Sequence, residues 1–338
     1  MTLLVLAWLI GRVMPLSWGG RKAMALWGTG RWVTSALPMR QVLTLVCPDY
    51  ATLQLALPEA LEAVAAAGAP VADMHMLGDG AIDLFTDCGE RNRLAAAAAS
   101  FLERLPVDFC VQAEVGRRKK LLIADMDSTI ISCECLDELA DVAGFGAEIA
   151  AITARAMAGE IAFEPALRER VRRLAGLEIG ALERVWRERV RLNPGAAGLV
   201  HTMTAGGARC VLVSGGFDYF TSRVAEAAGF AAHRANRLDD DGLRLTGDVA
   251  EPILGREAKL DALVEEAEAL GIDLSQTAAL GDGANDLAMI EAAGLGVAYR
   301  AKPLVAQKAD ARIQHTDLRA LLYFQGYPAD AFVEERRT

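Results

Sequence analysis

Three apolar runs constrain what most of this 338-residue chain can become: LLIAD at 121–125, RCVLVS at 209–214 and TAALGD at 277–282. Each stops at a polar side chain, and turn-forming residues follow. Amphipathic helical patterns lie between them. Apolar strands alternating with such helices predict a doubly wound, mostly parallel sheet covered on both faces. In open α/β sheets, ligands bind beyond the carboxyl ends of the strands. Asp125, Ser214 and Asp282 are therefore expected at one edge. The Arg- and Glu-rich stretch 135–206 between the first two runs is longer than a usual crossover. It reads as a helical cap inserted over the strand ends.

A different pattern precedes this region. QVLTLVC, a helix around 58–67, VADMHML, AIDLFTD, the helix RLAAAAASFLERL and VDFCVQA follow one another as β-α-β-β-α-β. That order predicts a small α+β module of the ferredoxin-like type. The expected division is a ferredoxin-like domain at 39–115, an α/β core at 116–134 and 207–338, and a cap at 135–206. Residues 1–38 stand apart. They hold no Asp or Glu but do hold Arg12, Arg21, Lys22 and Arg31, with Trp8, Trp18, Trp27 and Trp32. The apolar run 3–10 is too short to span a bilayer and lacks the preceding positive charges of a secretion signal. The expectation is an N-terminal extension, disordered or ahead of the working start, with Met39 the candidate first residue.

A net charge of -10 and a pI near 5.1 disfavour a nucleic-acid partner. The six cysteines (Cys47, Cys88, Cys110, Cys133, Cys135 and Cys210) are scattered. The close pair Cys133 and Cys135 lacks the further ligands of a zinc site. Scattered thiols in a chain this long read as a reduced, cytoplasmic protein.

The first apolar run ends with Asp125 and Asp127, two residues apart and so on one side of an extended chain. At about 4 Å and an effective dielectric of about 20, their repulsion costs roughly 4 kcal/mol. Either a cation stands nearby or one acid holds a proton. The other features are individually ordinary. A lone D-x-D is most often a cap or a turn, and Ser214-Gly215-Gly216 could be a plain strand-to-helix turn as readily as an anion cradle. Lys259 in REAKLDAL reads by itself as a surface lysine. In GDGANDLAMI, Asp282 and Asp286 crowd a short glycine turn together with Asn285.

Taken together and in order, DMDST, the serine of VSGG, a lysine in the right interval and GDGAND resemble the four motifs of the haloacid dehalogenase superfamily of phosphotransferases, over roughly 121–325. Asp127, two residues after Asp125, resembles the phosphatases of that superfamily rather than its ion pumps. DMDSTIISCECLDELA, ARAMAGEIAFEPALRERV, VSGGFD, ANRL and LTGDV are similar to the branch that acts on phosphoserine. The resemblance implies that Asp125 is the nucleophile and Asp127 the general acid and base. It implies Mg²⁺ on the Asp125 and Asp282 carboxylates and the Asp127 carbonyl. Ser214, the Gly215 N–H and Lys259 would hold the phosphoryl group, with Asp286 orienting the lysine. Glu134 would meet the substrate ammonium and Arg170 its carboxylate. Met157 and Phe163 would exclude water, and Asn285 would support the metal or phosphate side.

From the residues alone, Met157 and Phe163 also fit a cap core, and Arg170 a solvated helix face. Two rivals accompany the leading expectation of a Mg²⁺-dependent phosphoserine phosphatase in serine biosynthesis. One is a relative acting on another small phosphorylated metabolite, or passing the phosphoryl group to homoserine. The other is an amino-acid sensor, since the N-terminal module resembles small-molecule-binding, ACT-like regulatory domains. A homodimer is compatible with the sequence; no membrane partner is expected.

Overall fold

The computed structural model describes residues 40–87, 90–157 and 160–333. The expected extension 1–38, Met39 and Cys88 lie outside these residues.

The chain opens with β1 (Gln41–Val46), α1 (Tyr50–Ala66), β2 (Val71–Gly78), β3 (Ala81–Thr86), α2 (Arg91–Leu102) and β4 (Asp108–Ala113). The strands form an antiparallel sheet in the order β2-β3-β1-β4, the ferredoxin-like arrangement. Helix α1 starts well ahead of the expected position. The Asp49 carboxylate accepts the Thr52 N–H and caps the first turn, and the helix then runs through Pro58. Burial of Leu53, Ala56, Ala60 and Val64 against the sheet outweighs the hydrogen bond that the proline forfeits. The outer strand β2 is blunted: the Asp73 carboxylate accepts the N–H of Met74, which occupies a group that could template another strand.

The larger part comprises β5 (Leu121–Ala124), α3 (Cys135–Ala143), α4 (Gly146–Met157), α5 (Phe163–Arg172), α6 (Gly180–Glu188), α7 (Ala196–Ala205), β6 (Arg209–Phe217), α8 (Asp218–Ala228), β7 (Ala232–Asn236), β8 (Leu238–Asp240), β9 (Leu245–Val249), α9 (Ala258–Leu270), β10 (Thr277–Gly281), α10 (Leu287–Ala292), β11 (Leu295–Tyr299), α11 (Pro303–Lys308), β12 (Ala311–Ile313) and α12 (Ala320–Phe324). Six of the strands form one parallel sheet, β12-β11-β10-β5-β6-β7. Both faces are covered, as the apolar runs predict. Leu122, Ala124, Cys210, Leu212, Ala278 and Leu280 enter one core, and Leu121, Ile123, Val211, Val213 and Ala279 enter the other. The alternation follows from the two-residue period of a strand.

The three runs identified in the sequence are the adjacent central strands β10, β5 and β6. Parallel pairing brings their carboxyl ends to one edge. The two sheets are also fastened together. The buried Asp108 carboxylate accepts the N–H groups of Gln314 and Thr316 at 2.8 and 2.9 Å and the Thr316 hydroxyl at 2.6 Å. Among the described residues, no helix is long and apolar enough to cross a membrane.

Candidate active site

Asp125 follows β5, and its carboxylate lies 2.6 Å from the ammonium of Lys259. Lys259 stands in the first turn of α9, where a cation is poorly placed relative to the helix dipole. Acidic partners outweigh that. Its Nζ also donates to Asp286 Oδ1 at 2.5 Å, and the three side chains are buried. The other oxygen of Asp286 accepts the N–H groups of Gly283, at 2.9 Å, and Asp282, at 3.2 Å. Asp286 therefore fastens the 281–286 loop to the lysine. Gly281 is required here, because a Cβ would come within 2.4 Å of the Asp286 carboxyl carbon.

Beyond Asp125 the chain makes a tight turn in which Ser128 adopts φ +56°. The turn is held by Asn193, whose amide donates to the carbonyls of Thr129 and Ile131 at 2.8 and 3.0 Å. It aims Asp127 at β6. Asp127 Oδ2 accepts the Ser214 hydroxyl at 3.2 Å, and Oδ1 accepts the Cys135 N–H at 2.9 Å. Thr129 donates to Asp282 at 3.3 Å. Sequence reasoning assigned no part to Thr129 or Asn193. Thr129 stood within the DMDST motif, but nothing local marked its partner.

Four carboxyl groups thus share one ammonium. Burial, then the Asp286 charge, push Asp125 well above the usual carboxylate range, against the pull of Lys259. Burial raises Asp127, opposed by the Cys135 N–H and the Ser214 hydroxyl. Burial and Asp286 raise Asp282. Burial works against the charge of Lys259, but Asp125 and Asp286 more than offset it and hold the ammonium above its ordinary range. The unbalanced charge, and oxygens of Asp125, Asp282 and Asp286 all within 4.8 Å of one another, fit a hard divalent cation. Asp286 already spends both oxygens on Lys259 and the loop amides, which leaves Asp125 and Asp282 as the better donors.

On the cap side, Ser128 donates to Glu134 at 2.6 Å. Glu134 stands at the exposed mouth of the cleft, but protein atoms crowd its carboxyl. That desolvation and the nearby Asp127 push it up to about 7. Water at the mouth screens part of the push, so it titrates at or below that value. Arg170, half-buried on α5, donates to the Ala166 carbonyl and feels the charges of Asp137 and Glu134. Burial lowers its pKa and raises that of Asp137, a neighbour that sequence reasoning missed. The Phe163 ring covers Gly215, where a Cβ would stand 3.2 Å from it. Asn285 folds back over Gly283. The Met157 side chain is outside the described atoms.

A parallel sheet whose central strands deliver acids, a hydroxyl and a buried lysine to one edge, under a helical insertion, defines a hydrolase built for an anionic ester. The sequence model of the haloacid dehalogenase-like hydrolases matches residues 122–291, and the chain belongs to that family. It is a phosphatase. A phosphoserine phosphatase of Archaeoglobus fulgidus is 40% identical, over 74% of this chain and 73% of its own length. A crystal structure of a HAD family hydrolase from Salmonella enterica serovar Typhi superposes with a TM-score of 0.75 at 29% identity, covering 85% of this chain and 98% of its own. A phospho-aspartyl intermediate analogue of phosphoserine phosphatase superposes with a TM-score of 0.57 at 40% identity, covering 61% and 99%.

Proposed function

We propose that the chain hydrolyses O-phospho-L-serine to L-serine and phosphate, the last step of serine biosynthesis, through an aspartyl-phosphate on Asp125 and with Mg²⁺ as cofactor. The observation that carries the reading is the convergence of Asp125, Asp127, Ser214, Lys259 and Asp282 at the ends of β5, β6 and β10 and the start of α9. Its likeness to the phosphoserine phosphatases named above, one of them a phospho-aspartyl intermediate analogue, supports it.

An oxygen of Asp125 attacks phosphorus in line, and the bond to the serine oxygen breaks. Asp127, whose affinity for a proton is raised by burial, gives a proton to that leaving oxygen. Water then attacks the aspartyl-phosphate, its proton passes to Asp127, and phosphate leaves. Lys259, Ser214 and the Gly215 N–H hold the equatorial oxygens throughout. The Asp125 and Asp282 carboxylates and the Asp127 carbonyl would hold Mg²⁺, which when bound offsets the charge of the phosphoryl group. Glu134 meets the substrate ammonium and Arg170 its carboxylate. Phe163 and Met157 close over the site, and Asn285 supports the phosphate side. The domain division reads as 39–115, 116–134 with 207–338, and 135–206, in a cytoplasmic enzyme able to pair as a homodimer.

A panel of phosphoserine and sugar phosphates in Mg²⁺ or EDTA, with and without homoserine, tests this reading. Phosphoserine is expected to turn over fastest, EDTA to abolish turnover, and homoserine to collect no phosphate. Faster hydrolysis of a sugar phosphate would remove the substrate assignment.

Glu134 predicts a pH effect. It is uncharged below its raised pKa and ionised above it, so its grip on the substrate ammonium strengthens as pH rises through about 7. From pH 6 to 8, kcat/KM for phosphoserine should rise severalfold relative to that for p-nitrophenyl phosphate, a reference that cancels the titration of the phosphate itself. Glu134→Gln should flatten the ratio. A ratio that is flat in the wild type would remove Glu134 from ammonium recognition.

A further inference from the structure

Ser214–Gly216, the segment read above as the phosphate cradle, leaves the β-ladder. Strands β6 and β7 pair through Val213 and Arg234, then not again until Phe217 and Asn236. Four steps along β6 are thus set against two along β7, and the intervening backbone bulges away from the ladder. Something other than sheet hydrogen bonding must fix it.

Asn236, the last residue of β7, is 1% exposed. Its Nδ2 donates to the Gly215 carbonyl at 2.9 Å and to the Leu254 carbonyl at 3.3 Å, while Oδ1 accepts the Leu254 N–H at 2.7 Å. Both N–H groups and the oxygen are thereby used. The backbone partners also settle the amide orientation, since carbonyls need the nitrogen and an N–H needs the oxygen.

The Gly215 carbonyl belongs to the same peptide unit as the Gly216 N–H, which donates to Ser214 Oγ at 2.9 Å. That planar unit is therefore clamped at both ends, by Asn236 at the carbonyl and by Ser214 at the N–H. With an Oγ lone pair taken, the Ser214 O–H points to Asp127, into the edge read above as the phosphate site. We propose that Asn236 is a positioning residue for phosphoryl transfer: it touches no reacting atom but fixes the Gly215–Gly216 peptide, whose N–H sets the direction of the Ser214 hydroxyl. The inference rests on the phosphatase reading of this edge and needs no particular substrate.

Two variants test it in the full-length enzyme with Mg²⁺. Asn236→Ala removes the clamp, and Asn236→Asp keeps the shape and the acceptor for Leu254 but leaves an ionised group facing the Gly215 carbonyl. In each variant that keeps the wild-type circular dichroism, kcat is expected to fall about tenfold or more, equally for phosphoserine and p-nitrophenyl phosphate. KM should stay within about threefold. A residue that merely tied down the 251–254 loop would lower the melting temperature and leave kcat per folded molecule alone. Folded variants with kcat within twofold of wild type, a loss confined to KM, or failure of both variants to fold would overturn the inference. A wild type that cleaves p-nitrophenyl phosphate but not phosphoserine would sink the substrate reading while still testing Asn236.

Discussion

Asp125→Asn should lose turnover by on the order of 10⁴-fold or more and still fold. An amide is a poor nucleophile toward phosphorus, and the acyl phosphate that the carboxylate would form no longer arises. The fold should tolerate the exchange because the charge of Asp125 is itself disfavoured there by burial and by Asp286. Lys259 keeps its contact with Asp286, so the ammonium is not stranded. Single-turnover kinetics with acid quench should trap phosphoenzyme in the wild type and none in the variant, at a melting temperature unchanged or raised. Turnover within tenfold of wild type would rule out Asp125 as the nucleophile.

Lys259→Met carries the next largest effect, on activity and stability together. The lysine is 4% exposed and touches two buried carboxylates. Removing it withdraws a preorganised charge from the phosphoryl oxygens, worth about 10²- to 10³-fold in kcat. It also strands two acids in the core, at a cost of about 3–5 kcal/mol. The pH dependence carries a sign. Without the lysine, the folded acids bind protons more tightly than the unfolded chain does, so stability falls as pH rises. The deficit should be largest near pH 8 and shrink on acidification toward pH 5. In the wild type the raised lysine carries a linkage of the same sign, but in an alkaline window. It contributes stability fully below the ordinary lysine pKa of about 10.4 and loses it only at more alkaline pH. Denaturant unfolding across that range measures both curves; a variant as stable as wild type at pH 8 would contradict the buried-pair assignment.

The parts of the site that could be read in advance share a physical reason. Asp125, Ser214 and Asp282 each end an apolar run, and a parallel sheet must bring such ends together. The α/β class and the ferredoxin-like order were legible in the same way, from periodicity. Lys259 was different. Alone on a helix it reads as a surface charge, and only the packing of α9 against the sheet reveals a buried cation between two acids. Thr129 and Asn236 stood within the DMDST and ANRL stretches, but nothing local marked their partners. Their partners lie 153 residues away for Thr129 and 21 and 18 away for Asn236. The early start of α1 was hidden by Pro58, because local propensity penalises proline and cannot weigh the burial that overrides it.

The order of residues by itself determined a parallel sheet, the edge at which its chemistry gathers, and the acids that stand there, because apolar periodicity and strand direction are local properties of the chain. The folded structure alone decided which acid meets the lysine, which hydroxyl faces Asp127 and which amide holds the Gly215–Gly216 peptide. Those outcomes depend on distances between segments far apart in sequence, and such distances exist only once the elements have packed.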